Sequence, residues 1–116
     1  MKLITVQDLA VIVKHHGFDD FMRDLVSYLK QDFIRWNEFD KSPRYAAHVP
    51  GGVLELMPTA DNQYFSYKCV NGHPANPFSG KQTVVATGQM NEIKYGYPVL
   101  LSEMTTLTGL RTAATA

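Results

Sequence analysis

The spacing of apolar residues changes near residue 44, and this change limits the possible folds more than any other feature of the sequence. Before it, apolar residues recur every three or four positions, which is the period of a helix with one buried face. After it, the side chains alternate in character with the period of a β-strand. The sequence therefore predicts an α+β fold, with two N-terminal helices packed on a mostly antiparallel five-stranded sheet that a last helix follows.

Two helices are predicted before the change of period. Thr5 and Asp8 form a capping-box pattern that begins a helix over residues 6–16, and Gly17 is its expected end. A second helix is predicted over residues 18–38, and its apolar stripe is expected to lie in the core or in an interface rather than against a cofactor. The stripe consists of Phe21, Leu25, Tyr28, Leu29, Phe33 and Trp36.

Five strands and a third helix are predicted after the change of period near residue 44. The first two strands form a hairpin around the turn at Pro50-Gly51-Gly52. The third helix covers residues 107–116, with Thr105 or Thr106 as its cap. It reaches the last residue without a C-terminal capping signal, which favours an N-terminal piece of a longer polypeptide over a complete small protein with a frayed end. The strands cover residues 44–49, 53–57, 63–70, 82–90 and 97–102.

Composition argues against several classes of function. Eleven basic residues balance eleven acidic ones, and a chain without excess positive charge is a poor candidate for nonspecific nucleic-acid binding. No apolar run is long enough for a membrane span, and the first residues do not lead into a signal-peptide core. Cys69 is the single cysteine, so an internal disulfide is impossible, and the cytoplasm, a reducing compartment, is the expected location.

Four ionisable residues are predicted at positions that bury them in part. A charge in an apolar strand is costly unless it is paired, so Glu55 is expected to face either solvent or a cation, and the pattern leaves both open. Lys68 precedes the polar loop 71–81 and is either a solvated lysine or a cationic anchor at the mouth of a site. With Arg44 and Arg111 these residues would suit an amino acid, whose carboxylate binds cations and whose ammonium binds a carboxylate.

Other kinds of site have little support in the sequence. The four histidines show no metal-ligand spacing, and no metal is expected. His73 lies in an Asn-Gly-His-Pro loop and is either a general acid or base or, as the favoured alternative, a residue that hydrogen-bonds the loop backbone. The sequence has no nucleophile elbow, phosphate-binding loop or glycine-rich dinucleotide fingerprint, so it cannot hold a dinucleotide by the usual Rossmann turn.

Five motifs, taken with their order and spacing, resemble the N-terminal part of the ornithine cyclodeaminase and mu-crystallin family. The resemblance covers essentially the whole chain. Its Asn-Gly-His-Pro string is similar to the bacterial cyclodeaminase branch rather than to the ketimine reductases and amino-acid dehydrogenases of the family. The motifs are ELMP at 55–58, YKCVNGHPAN at 67–76, GKQTV at 80–84, GYPVLLSEMT at 96–105 and LTGLRTAAT at 107–115.

The resemblance implies an NAD-dependent ornithine cyclodeaminase, an ammonia-lyase that converts L-ornithine to L-proline and ammonia. In the implied reaction NAD⁺ takes a hydride from the α-carbon, the δ-amine attacks the resulting imine, ammonia leaves and the hydride returns. Residues 1–104 would be an incomplete substrate-binding and dimerisation domain of a homodimer, and residues 105–116 would begin the helix that connects it to an absent NAD-binding domain. Because the family's catalytic aspartate and glycine-rich turn would lie beyond residue 116, the chain alone is expected to be inactive.

The resemblance also implies a role for seven residues. Arg44 and Lys68 would hold the substrate carboxylate, and Arg111 would reach both the carboxylate and the cofactor. Cys69 stands where relatives are expected to have an aromatic residue, but strand alternation turns it away from Lys68. The implied residues are Arg44, Lys68, Arg111 and Met57 for the substrate, Thr83, Arg111 and Thr112 for the cofactor, and Glu55 for catalysis.

Two alternatives to the cyclodeaminase remain open on the sequence. One is a ketimine reductase or amino-acid dehydrogenase of the same family, and the other is a stand-alone binding module without catalytic activity. The sequence also leaves both ornithine and lysine open as substrates, because residues that gauge the length of the substrate side chain can lie outside the chain.

Overall fold

The structure is a computed structural model that describes all 116 residues. It contains three α-helices and six β-strands, together with two short 3₁₀ turns at Trp36–Glu38 and Asn76–Ser79. In chain order the elements are β1 (Lys2–Ile4), α1 (Val6–His16), α2 (Phe18–Ile34), β2 (Tyr45–Val49), β3 (Gly52–Ala60), β4 (Tyr64–Gly72), β5 (Val84–Glu92), β6 (Pro98–Glu103) and α3 (Thr105–Thr115).

The six strands form one mixed sheet in the order β1-β6-β5-β4-β3-β2. Four neighbouring pairs are antiparallel, and β1 pairs with β6 in parallel, with Ile4 opposite Ser102. The predicted α+β class is confirmed, but the prediction of a five-stranded sheet is wrong because it lacks β1 and its parallel pairing. Three residues are too few to show a strand period, and β1 is a strand because of its pairing with a segment nearly 100 residues later.

The second helix and the cap of the third differ from the prediction. The α-helix that was expected over residues 18–38 ends at Ile34, and Arg35 leaves helical geometry before a 3₁₀ turn begins. No threonine side chain caps α3. The carboxylate of Glu103 instead accepts hydrogen bonds from the backbone N–H groups of Thr106 and Leu107, at 3.0 and 3.2 Å. This carboxylate therefore satisfies N–H groups that the first turn of a helix leaves free.

The three helices lie on one side of the sheet. The helix α3 lies directly against β5, and α2 packs on α3 and α1. Residues on this helix-covered face of the sheet include Ala86, Gly88 and Ser102, which with Leu9 of α1 are the four buried residues of the chain. None of the three α-helices combines the length and the hydrophobicity that crossing a membrane requires.

The opposite face of the sheet carries large apolar side chains that no helix covers. Strand alternation places these residues on the face away from α3, and their exposed fractions range from 38% for Leu56 to 67% for Tyr45. The predicted apolar stripe of α2 is also only partly covered, since Tyr28, Phe33 and Trp36 are exposed. We refer to the face of the sheet that no helix covers as the open face. Its exposed apolar residues are Leu3, Tyr45, Leu56, Phe65 and Val85.

Candidate functional site

Lys68 lies at the centre of the helix-covered face. It stands opposite Met57 of β3 on one side and opposite Gly88 of β5 on the other. Because side chains of directly opposed residues point to the same face, Lys68 and Met57 lie side by side beneath the helices. The side chain of Met104 occupies the space above this glycine, and the lysine side chain is half buried.

Glu55 and Arg44 form an ion pair next to this lysine. Arg44 Nη1 lies 3.3 and 3.4 Å from the two carboxylate oxygens of Glu55. The Glu55 side chain is 26% exposed and the Arg44 side chain is 59% exposed. Of the two alternatives that the sequence left open for Glu55, the structure therefore favours pairing with a cation.

The helix α3 brings a third cation and a hydroxyl to the same place. Lys68 Nζ donates a hydrogen bond to Thr108 Oγ1 at 3.3 Å. Arg111 follows three residues later, on the same side of the helix. Partial burial lowers the pKa of Lys68 below its ordinary value, the positive charges of Arg111 and Arg44 lower it further, and Glu55 raises it.

The cluster therefore has an excess of positive charge. Two further cationic side chains, Arg44 and Arg111, and the single carboxylate of Glu55 lie close enough to Lys68 to act on its charge. Arg44 and Arg111 are exposed, so the cluster opens to solvent on one side. Like charges that are held together in a half-buried place favour the binding of an anion, because an anion relieves their repulsion.

Two cavities meet at Met57. One has a volume of about 500 Å³, lies between the end of α2 and β3, and includes Arg111 and Trp36 in its lining. The other has a volume of about 250 Å³ and lies over the sheet beside Lys68 and Met104. Met57 and Thr59 line both cavities, so the two spaces adjoin each other next to the cationic cluster.

Thr83 and Thr112, the two threonines predicted to contact a cofactor, lie outside the hydrogen bonds of the cluster. Thr83 precedes β5 and is five residues along the chain from Gly88, which is on the order of 17 Å at the rise of a strand. Its carbonyl accepts a hydrogen bond from the N–H of His73. Thr112 is exposed on α3, and its hydroxyl donates to the carbonyl of Thr108 at 2.8 Å.

His73 and Cys69 make no side-chain contact with the cationic cluster. The His73 ring lies against Gly52, where an added Cβ would come within 2.7 Å of the ring, and its side chain makes no hydrogen bond. Cys69 stands opposite Leu56 and Thr87, on the other face of the sheet from Lys68. No group of three His, Cys, Asp or Glu residues is arranged to hold a metal ion.

Sequence reasoning missed Thr108 and Gly88. Thr108 could have been found from its spacing, because a residue three positions before Arg111 shares its side of a helix. Gly88 could not, since its position opposite Lys68 follows from the register of β4 and β5 and from no local pattern.

Comparison with known proteins identifies the family. Residues 6–116 match the sequence model of the ornithine cyclodeaminase/mu-crystallin family. The chain belongs to this family. Ornithine cyclodeaminase of Agrobacterium fabrum is 50% identical over 113 residues, which are 97% of this chain and 32% of that protein. The chain thus spans about a third of the length of the curated ornithine cyclodeaminases that it matches.

Solved structures share the fold of this family member. A lysine cyclodeaminase, described for its recognition of L-lysine, L-ornithine and L-2,4-diaminobutyric acid, has a TM-score of 0.88 at 26% identity, over 97% of this chain and 35% of that one. An archaeal alanine dehydrogenase dimer with bound NAD has a TM-score of 0.78 at 26% identity, over 97% and 34%. The predicted membership of the family is confirmed, and the roles of single residues stay predictions.

Proposed function

We propose that this chain is the substrate-binding part of an NAD-dependent ornithine cyclodeaminase, which converts L-ornithine to L-proline and ammonia. The observation that carries the proposal is the convergence of Arg44, Arg111 and Glu55 on Lys68. The 50% identity to an ornithine cyclodeaminase supports the choice of reaction. The lysine cyclodeaminase structure, which recognises L-ornithine among its ligands, supports the choice of substrate class.

In this proposal the three cations bind the carboxylate of the amino acid. Two guanidinium groups and an ammonium offer more hydrogen-bond donors than one carboxylate needs, and they carry the opposite charge. Burial is the largest cause of the lowered pKa of Lys68, and a bound anion would offset the second cause, the repulsion by Arg111 and Arg44. The apolar Met57, which lines both cavities, would form the wall against which the substrate side chain lies.

Glu55 would be the catalytic residue that this chain contributes. Arg44 holds its carboxylate in place, and its side chain is mostly covered. A carboxylate in this position can pair with an amine of the substrate or accept a proton from it. Both actions need the carboxylate beside the bound amino acid, which is where the cationic cluster would bring the α-carbon.

NAD, when bound, would supply the acceptor and later the donor of the hydride. Thr83, Arg111 and Thr112 are exposed and are therefore available to contact it. The chain has no glycine-rich dinucleotide turn, so these residues would provide only part of the binding site. We accordingly assign residues 1–104 to a substrate-binding and dimerisation domain and residues 105–116 to a helix that leads towards a nucleotide-binding domain.

We also propose that the chain associates as a homodimer through the open face and acts in the cytoplasm. The accessible surface is 8417 Å², whereas a compact monomer of this size exposes about 6,300 Å². The excess of about 2,100 Å² for one chain is larger than the roughly 800 Å² that each partner buries in a standard-sized protein interface. Large exposed apolar patches are typical of such interfaces, and the archaeal alanine dehydrogenase is described as a dimer.

A chimeric enzyme tests the proposed reaction. Residues 1–116 replace the matching third of the Agrobacterium fabrum ornithine cyclodeaminase, which is similar enough for the two parts to fit together. We expect the chimera to form proline and ammonia in equal amounts from ornithine with no net formation of NADH. We expect no turnover from the 116-residue chain alone.

The matched control is the same chimera with Lys68→Met, which keeps the length of the side chain and removes its charge. We expect its kcat/KM to fall by at least 100-fold, because the carboxylate loses a charged partner in a half-buried place. Stoichiometric NADH from an amino acid would instead support a dehydrogenase, which the structural similarity to alanine dehydrogenase makes the second candidate. A folded chimera that leaves ornithine unchanged would contradict the proposed reaction.

A further inference from the structure

Thr108 makes a contact that none of the roles above uses. Its hydroxyl oxygen accepts a hydrogen bond from Lys68 Nζ at 3.3 Å, and this is the only hydrogen bond of that ammonium group within the chain. The residues are 40 positions apart in sequence, so the bond joins the last helix to the centre of the sheet.

The other threonines of α3 use their hydroxyl groups differently. Those of Thr112 and Thr115 donate to backbone carbonyls of the helix itself, which is the usual bond of a helical threonine. That of Thr105 bonds the backbone of Ala86, and that of Thr106 makes no hydrogen bond. Thr108 is therefore the only threonine of the helix whose oxygen meets a charged side chain.

The helix holds Thr108 in a fixed place because its first residues are anchored to β5. The N–H of Met104 donates to the carbonyl of Ala86 at 2.9 Å, and the N–H of Ala86 donates to Thr105 Oγ1 at 2.9 Å. The side chain of Met104 lies over Gly88 so closely that an added Cβ would come within 2.8 Å of Met104 Cγ. Thr108 follows one helical turn after these anchors.

Lys68 needs such an anchor to act as a binding group. Its stem has four rotatable bonds, and the charges of Arg44 and Arg111 would push a free ammonium towards solvent. A neutral hydroxyl holds the ammonium without neutralising it. One of its three N–H donors bonds Thr108, and the other two stay free for an anion.

We propose that Thr108 is a positioning residue, which holds the ammonium group of Lys68 where it meets a substrate carboxylate together with Arg44 and Arg111. The carboxylate part of this inference rests on the function proposed above. The contact with Lys68 stands on the geometry of α3 and β4 alone.

The test uses the 116-residue chain labelled with ¹³C-lysine, in which the Lys68 resonance is assigned by its loss in Lys68→Gln. The pKa of Lys68 is measured by NMR in Thr108→Val, which keeps the shape and removes the hydroxyl, and in Thr108→Ser, which restores it. The matched control is Thr106→Val, because that hydroxyl makes no hydrogen bond. Acetate, the simplest carboxylate, is then titrated into each variant.

We expect Thr108→Val to lower the pKa of Lys68 further, by about half a unit to one unit, because the charged form loses its acceptor. We expect acetate to bind several-fold more weakly to this variant. Thr108→Ser should restore both values, and Thr106→Val should change neither. A role limited to packing would leave the pKa of Lys68 unchanged in Thr108→Val, and that result would overturn the proposal.

The acetate titration separates the two proposals. If Thr108→Val lowers the pKa of Lys68 but acetate moves the Lys68 resonance in no variant, the positioning role is supported and the proposed carboxylate site fails. If Thr108→Val does not fold, Thr108→Ala gives the same comparison in a residue that favours helices. In the active chimera we expect Thr108→Val to raise KM for ornithine several-fold and to change kcat little, whereas an unchanged KM would count against the proposal.

Discussion

Three different effects act on the pKa of Lys68. Partial burial and two neighbouring guanidinium groups lower its pKa, and one carboxylate opposes them. The folded chain therefore binds fewer protons at Lys68 than the unfolded chain between the lowered pKa and the ordinary value of 10.5. It follows that stability rises with pH across this interval and that the unfavourable contribution of the charged lysine is fully present below it.

Substitution of the neighbours should move this pKa in opposite directions. We expect Arg44→Gln to raise the pKa of Lys68, because a like charge is lost, and Glu55→Gln to lower it, because the stabilising charge is lost. NMR titration of the ¹³C-lysine chain measures both shifts. The control is Arg23→Gln, whose charge is paired with Asp20 on the surface of α2 and should leave Lys68 unaffected. Equal shifts in all three variants would contradict the geometry of the cluster.

The sequence predicts the contacts of some residues of the candidate site and not those of others. For Glu55 the sequence left open either solvent or a cation, because a charge in an apolar strand is costly unless it is paired, and Arg44 is its partner in the structure. The approach of Lys68 to Arg111 and Thr108 depends on the packing of α3 across β5, which no spacing along the chain encodes. Both the pattern of ionisable residues and the family resemblance pointed to Arg111, and neither pointed to Thr108.

Among the secondary-structure elements, α2 and the β3–β4 turn are joined by one ion pair. Arg35 Nη2 at the end of α2 lies 3.1 Å from Asp61 Oδ2. The other carboxylate oxygen accepts hydrogen bonds from the N–H groups of Gln63 and Tyr64, both at 2.8 Å. These two backbone bonds, more than the arginine, hold the pKa of Asp61 below its ordinary value of 3.8.

We expect Asp61→Ala to lower the free energy of unfolding by about 1–3 kcal/mol, because it removes three hydrogen bonds to a charged group. The contribution of Asp61 is fully present above the ordinary pKa of an aspartate. It is lost as pH falls through the lowered value of the folded state, so wild type and variant should converge in acid. Urea unfolding at pH 7 and at pH 3 measures this difference.

The matched control is Asp20→Ala, which breaks an exposed ion pair within one helix and should change the urea midpoint little. Equal changes in the free energy of unfolding for Asp61→Ala and Asp20→Ala at neutral pH would show that the β3–β4 turn does not depend on the hydrogen bonds of Asp61. If Asp61→Ala destabilised the chain as much at pH 3 as at pH 7, hydrogen bonding to the ionised carboxylate would not be the cause.

The elements show where local sequence signals suffice. The helix α1 has the predicted bounds because Thr5 and Asp8 cap it through bonds between neighbours in the chain. The predicted strand 53–57 ends before Pro58, yet Pro58 lies inside β3 opposite Tyr67, since pairing over the whole β3–β4 hairpin outweighs the local signal of a proline. The strand β1 depends on its pairing with the distant β6, so the sequence pattern could not define it.

At the scale of the whole molecule, the chain is less compact than its length predicts. Its radius of gyration is 15.4 Å, whereas about 13 Å is expected for a compact domain of this length. Only four residues are buried, and apolar side chains cover the open face. One sheet with helices on one side leaves its other side in need of a partner, because both faces of this sheet carry apolar residues.

We expect a second copy of the chain to cover the open face, and Leu56→Lys tests this dimer. Leu56 lies on the open face between Tyr45 of the edge strand β2 and Cys69 of β4, so a lysine there would put a charge into a dimer interface formed by this face. We expect sedimentation equilibrium to show a dimer for the wild type and a dissociation constant at least tenfold higher for the variant. The control is Phe78→Lys, because Phe78 is 95% exposed in the 3₁₀ turn of the β4–β5 loop and should leave the dimer intact. A monomeric wild type, or equal dissociation constants for Leu56→Lys and wild type, would rule out the open face as the dimer interface.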